Sequence, residues 1–175
     1  MSVNIIADNA ATICACFGMA GLIVWPVFRA RSAMLLMQLA GLIGVSVHYA
    51  LIGLMTAALV SALGAVQITA ALLSNDRRSL SRTGYVVAAM MACTSVVTWR
   101  GIASALSGSG MLLITAGRAR VNGNSMRLLV LAGEPFWLAH DLMVGSPVAV
   151  ADALCLILGI GTLAWRHVKV RGLLN

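Results

Sequence analysis

Six ionisable side chains fall inside long apolar runs of this sequence: His48, Tyr49, Glu134, His140, Asp141 and Asp152, with Gln38 and Gln67 as uncharged companions. A carboxyl at a bilayer centre costs roughly 3 kcal/mol on insertion scales, so such groups face protein or a water-filled cavity. Proton exchange and hydrogen bonding to a polar solute are the chemistries these side chains offer. Helical spacing sorts them. Glu134 and Asp141 share nearly one stripe, with Trp137 and Leu138 between them, and Gln38, Leu42, Val45 and Tyr49 form a second stripe. The two stripes are expected to face each other across a central cavity with Trp137 as an aromatic wall. Glu134, Trp137, Asp141, Tyr49, Gln38, His48, His140 and Asp152 are then the candidate substrate path and proton site. Glu134 is followed by Pro135, which removes a backbone donor and crowds the carbonyl of Leu131. A helix loosened beside a buried carboxyl suits a hinge or a proton acceptor. Counted from Arg127, Glu134 lies about 10 Å along its span.

Plainer roles compete for the same residues. His48 and His140 end their spans, where imidazoles anchor at membrane interfaces. Asp141 and Asp152 suit solvated helix caps or mutual hydrogen-bond partners. His48, His140 and Asp152 are ligand types for zinc, but no HxxxH or CxxC spacing accompanies them. No GxSxG elbow marks a nucleophile. No metal, cofactor or enzymatic activity is therefore expected. Cys14, Cys16, Cys93 and Cys155 all lie in apolar runs and read as packing residues. The pairs Gly18 and Gly21, Gly41 and Gly44, and Gly159 and Gly161 read as sites of close helix contact.

The elements that hold these groups follow from composition. The chain of 175 residues is 61% apolar and only 10% charged, with a mean hydropathy of +0.97. A water-coated domain carries about 25% charged residues, so lipid must be the outer solvent. The backbone is then helical or a closed barrel. Continuous apolar runs of about 16 to 21 residues, rather than short alternating strands, indicate helices. Seven segments can be drawn: Asp8 to Phe28, Ser32 to Ile52, Leu54 to Leu73, Gly84 to Trp99, Gly101 to Gly117, Arg127 to Val144, and Pro147 to Trp165. The fifth is weakened by its Ser-Gly-Ser-Gly stretch, Ser107 to Gly110. No basic region precedes the first segment, so it is expected to be a retained span and not a cleaved signal.

The net charge of +7 marks topology rather than nucleic-acid binding. With the N-terminus outside, Arg29, Arg31, Arg77, Arg78, Arg82, Arg118, Arg120, Arg127, Arg166, Lys169 and Arg171 all fall on the cytosolic side. Only Arg100 falls outside. The expected location is a bacterial cytoplasmic membrane, with the C-terminus in the cytosol. An internal repeat accompanies this pattern. His48-Tyr49 to Gly53 aligns with His140-Asp141 to Gly145, and Arg29-Ala30-Arg31 with Arg118-Ala119-Arg120. The chain then reads as one transmembrane domain, 1–175, of two parallel three-helix repeats (about 8–73 and 101–165) with a linker helix (about 84–99). Parallel repeats place a substrate between two bundles.

These anchors also carry a resemblance. His48-Tyr49 with Gly53, Thr56-Ala57-Ala58 and Arg77-Arg78 resembles the first half of bacterial inner membrane proteins of the YgjV type. Phe136-Trp137 with Gly145-Ser146, Asp152 and Trp165-Arg166 resembles their second half. The likeness runs from about Arg29 to Arg166, and His140-Asp141 departs from the Tyr-Asn type of pair expected there. The resemblance implies a small polytopic membrane protein. The 3+1+3 arrangement is also similar to SWEET and PQ-loop carriers, although Pro26 stands between Trp25 and Val27 and no Pro-Gln pair occurs. The leading expectation is a small-molecule permease, proton-coupled through Glu134; the runner-up is a non-transporting assembly or regulatory subunit. Expected partners are the lipid bilayer and a small polar solute, with self-association as a homo-oligomer left open and no nucleic acid.

Overall fold

A computed structural model describes the backbone of residues 2–74 and 76–172, and the side chains of residues 9–74 and 76–165. The side chains of Asp8, Arg166, Lys169 and Arg171 lie outside the described residues. Seven helices follow one another: α1 (Ser2–Val24), α2 (Arg31–Leu51), α3 (Met55–Leu73), α4 (Arg77–Val97), α5 (Ile102–Arg118), α6 (Gly123–Val144) and α7 (Val148–Gly172). A single 3-10 turn, Trp25–Val27, closes α1 where Pro26 can no longer donate a helical hydrogen bond. Among the described residues there is no strand.

Five of the helices are long and apolar enough to cross a membrane, namely those spanning Asn9–Val27, Arg31–Leu51, Met55–Leu73, Arg77–Val97 and Val148–Trp165. The other two are the short α5 and α6, which carries Arg127, Glu134 and Asp141. A helix of about 20 residues is about 30 Å long, the thickness of the hydrocarbon core. Ile13, Phe17, Val66, Leu73, Val97 and Ile157 are all more than half exposed. Such an apolar exterior belongs in lipid, and the molecule is a polytopic helical membrane bundle.

Six helices close a ring: α1 packs on α2, α2 on α3, α3 on α5, α5 on α6, α6 on α7, and α7 back on α1. The fourth helix stands outside it against α3 and α5. Glycines set the two tightest crossings. A Cβ on Gly18 would lie 3.0 Å from the Gly41 carbonyl oxygen, and one on Gly41 would lie 3.1 Å from that of Gly18. At the α5–α6 crossing, Gly110 and Gly133 meet in the same reciprocal way, at 3.1 and 2.7 Å. Backbone contact this close excludes any side chain. Gly53 and Gly145 turn the chain with φ of +80° and +67°, a conformation costly for residues bearing a Cβ.

Several sequence expectations need correction. The fourth helix begins at Arg77 and not near Gly84, because Asp76 caps it by accepting from the Ser79 amide at 2.9 Å. The Ser-Gly-Ser-Gly stretch is helical throughout, with Gly108 against Ser95 and Gly110 against Trp137. Pro135 does not interrupt α6, whose helix runs unbroken from Gly123. Counted from there, Glu134 lies about 16 Å along the helix. Gly161 faces open space and makes no close contact.

Candidate functional site

Inside the ring lies a partly open cavity of about 30 Å³. Every ring helix contributes to its wall, and α4 does not. Gln38, Leu42, Val45 and Tyr49 come from α2, Val130, Glu134 and Trp137 from α6, Met111, Ile114 and Arg118 from α5, and Val148 and Asp152 from α7. Leu22 and Trp25 close it from the α1 side, and Ser61 from α3. Gln38, Leu42, Val45 and Tyr49 of one stripe and Glu134 and Trp137 of the other line the same space, whereas Asp141 is not among its walls. The helices α2 and α6 run parallel along it, since Arg127 near the start of α6 reaches Met34 (3.1 Å) near the start of α2, while Tyr49 and Asp141 meet near their ends.

At that latter end the groups form a compact polar cluster. The Tyr49 hydroxyl lies 2.8 Å from each carboxylate oxygen of Asp141, to which it donates. His140 Nδ1 is 3.0 Å from Asp141 Oδ1. The Tyr49 ring stacks on Trp137 at a centroid distance of 5.9 Å, and His140 stands edge-on to Trp137 at 5.4 Å. His48 Nδ1 is 3.0 Å from the Ala11 carbonyl oxygen, and its Nε2 is 3.4 Å from Ser146 Oγ. Ser146 in turn accepts from the Val148 amide at the start of α7. These residues are buried: His48, His140, Asp141 and Asp152 are each no more than 3% exposed. The interface-anchor reading of the histidines and the solvated-cap reading of the aspartates are thereby overturned. Trp99 sits exposed just beyond the end of α4, as belt residues do, whereas the exposed Trp165 lies seven residues before the end of α7.

Lower in the cavity, Glu134 is buried, with Arg118 and Cys155 beside it. Cys155 accepts a bond from Trp25 Nε1 at 3.2 Å. Arg118 was expected in a cytosolic loop, yet it is buried and donates through Nε to Gln38 Oε1 at 2.9 Å. Arg127, expected at the same surface, is also buried. It donates to the Pro26 and Phe28 carbonyls (2.6 and 2.7 Å) and to Thr162 Oγ1 (3.3 Å). Arg31 reaches the carbonyls of Arg118 and Arg120, at 3.2 and 3.3 Å. Burial of a guanidinium is tolerated where carbonyls and amides accept its fork of donors. Sequence reasoning missed Arg118, Ser61 and Trp25 as cavity residues. The spacing Met111, Ile114, Arg118 was the available signal, because it continues one helical face into the arginine.

Four polar atoms of cavity-lining residues are buried without a hydrogen-bond partner among the described residues: Gln38 Nε2, Ser61 Oγ, Trp137 Nε1 and Asp152 Oδ2. All four belong to residues that wall the cavity, and the Asp152 carboxyl also lies within hydrogen-bonding reach of Asp141. The described residues bring together no group of three His, Cys, Asp or Glu side chains arranged to hold a metal ion.

Comparison with protein families matches residues 10–171 to Imp-YgjV, described as bacterial inner membrane protein. Neither curated proteins nor solved structures gave a match. The match extends the resemblance seen in the two anchor segments over nearly the whole sequence, and the chain belongs to the Imp-YgjV family of bacterial inner membrane proteins.

Proposed function

We propose that this protein is a small-molecule permease whose path runs between two three-helix units of like orientation, α1–α3 and α5–α7. The observation that carries the reading is the cavity walled by both units, whose lining residues Gln38, Ser61 and Trp137 carry polar atoms without a hydrogen-bond partner among the described residues. Leaving buried polar groups unmatched costs about 1–3 kcal/mol each, so such a place suits a polar visitor. The internal repeat adds support. Gly18 and Gly110, Gly41 and Gly133, His48 and His140, Tyr49 and Asp141, and Gly53 and Gly145 are each 92 residues apart. Exchanging the two units also maps the α3–α5 contact onto α7–α1.

Glu134 exchanges a proton during the cycle, with Trp137, Tyr49 and Gln38 lining the route and Asp141, His140, His48 and Asp152 closing it at the outer end. The arginine-rich end faces the cytosol, which puts the N-terminus outside and the C-terminus inside. No covalent chemistry is assigned, because Ser146 serves as the cap of α7 and His48 is held by the Ala11 carbonyl.

One observation favours the other reading, a non-transporting assembly or regulatory subunit. The cavity holds only roughly two waters, far less than a metabolite. As a permease the protein is therefore constricted in this conformation. Proteoliposomes carrying a pH-reporting dye, challenged with a panel of small polar solutes under a pH gradient, separate the two. The permease moves a solute together with protons, and Glu134→Gln abolishes that coupled uptake while the folded bundle survives. Full activity in Glu134→Gln removes Glu134 from the mechanism. No uptake of any solute, with a stable partner on pull-down, establishes the subunit.

A further inference from the structure

Because α4 stands outside the ring, it leaves a second, open cleft of about 660 Å³ between itself, α5 and the turn into α6. At its mouth lie Arg77, the first residue of α4, and Arg120, with Asn122 and Ser125. Its wall continues along the bundle through Tyr85, Ala88, Leu112 and Ala116, with the small hydroxyls of Ser81 and Thr115 between them. Ala88 is about 16 Å along α4 from Arg77, so the cleft descends well into one leaflet. Both guanidiniums are exposed and have no hydrogen-bond or ion-pair partner among the described residues, and no carboxylate lines the cleft. Its basic mouth and mainly apolar depth match an amphiphile and not a free solute.

We infer that this cleft is a binding site for an anionic phospholipid, its phosphate held by Arg77 and Arg120 and one acyl chain laid along Tyr85, Ala88, Leu112 and Ala116. Charge complementarity decides the class. Two unpaired cations at the membrane–water boundary favour a headgroup with net negative charge over a zwitterionic one. Depth decides the source: a soluble phosphate ester would satisfy the arginines and leave the apolar wall bare. The site is independent of the central cavity and of whether the protein transports.

The test is native mass spectrometry of the full chain released from nanodiscs of mixed phosphatidylglycerol and phosphatidylcholine, with glycerol phosphate as a soluble competitor. Wild-type protein is expected to retain phosphatidylglycerol in preference to phosphatidylcholine, and glycerol phosphate is expected not to displace it. Each arginine contributes about fivefold, so Arg77→Gln with Arg120→Gln is expected to remove the preference, whereas Arg78→Gln, outside the cleft, is expected to keep it. Ala116→Phe, which narrows the cleft without touching either arginine, is expected to lower retention. Equal retention of both lipids by wild-type protein overturns the proposal. So does displacement by glycerol phosphate, or retention unchanged in both the arginine double variant and Ala116→Phe.

Discussion

The two ends of the helix ring are both bridged by side chains that cross between α2 and α6 or their neighbours, yet by opposite means. Near the Gly53 and Gly145 turns, side chain meets side chain: Tyr49 on Asp141, Asp141 on His140, and both rings on Trp137. At the other end, long arginines reach main-chain carbonyls where helices run out, Arg127 at the end of the first helix and Arg31 at the end of α5. Helix ends leave carbonyls unpaired, and a guanidinium near them also favours the negative end of the helix dipole. One end is thus a replaceable polar cluster, and the other is part of how the helices terminate. The arginine end should resist change less well than the Asp141 end.

The largest effect is expected for Arg127→Met. It strands the Pro26 and Phe28 carbonyls and should lower stability by about 3 kcal/mol or more, read as a fall in melting temperature in detergent. Gly133→Val comes next, since its added carbon would meet Ile114 and the Gly110 carbonyl; about 2 kcal/mol is expected from overpacking. At the opposite end, Asp141→Asn keeps one acceptor for Tyr49 but loses the charge, and should cost about 1.5 kcal/mol. Tyr49→Phe should cost about 1 kcal/mol, and a double-mutant cycle with Asp141→Asn should reveal coupling between the two. The smallest effect is expected for Ser146→Ala, about 0.5–1 kcal/mol for loss of the cap on α7. An Asp141→Asn loss larger than that of Arg127→Met would reverse the comparison.

Much of the architecture was legible in the sequence because lipid imposes simple demands. Run length and the scarcity of charge give helices, and spacing gives the two polar stripes on α2 and α6. Those stripes depend only on helical period and on the cost of facing hydrocarbon, both local properties. The arginines were legible only in part. Counting Arg118 and Arg127 as loop charges identifies the end of the bundle at which they lie, but not that both are buried. Their burial depends on carbonyls supplied by Pro26 and Phe28 and on the amide of Gln38, partners far away in sequence. Likewise, His48 and His140 looked like interfacial residues because span ends usually meet water, whereas here the Ala11 carbonyl and Asp141 accept them inside. The start of α4 at Arg77 was hidden because charged first turns do not look like membrane spans, though Asp76 is a good cap.

The central claim is that the two three-helix units share one orientation and close around a common cavity. It is tested most directly by placing single cysteines in a background lacking Cys14, Cys16, Cys93 and Cys155, and labelling right-side-out spheroplasts with an impermeant maleimide. Ile52→Cys and Pro147→Cys, in the two glycine turns, should both label from outside, while Ala30→Cys and Val121→Cys should label only after the membrane is opened. Labelling of Ile52→Cys and Pro147→Cys from opposite sides would contradict the account.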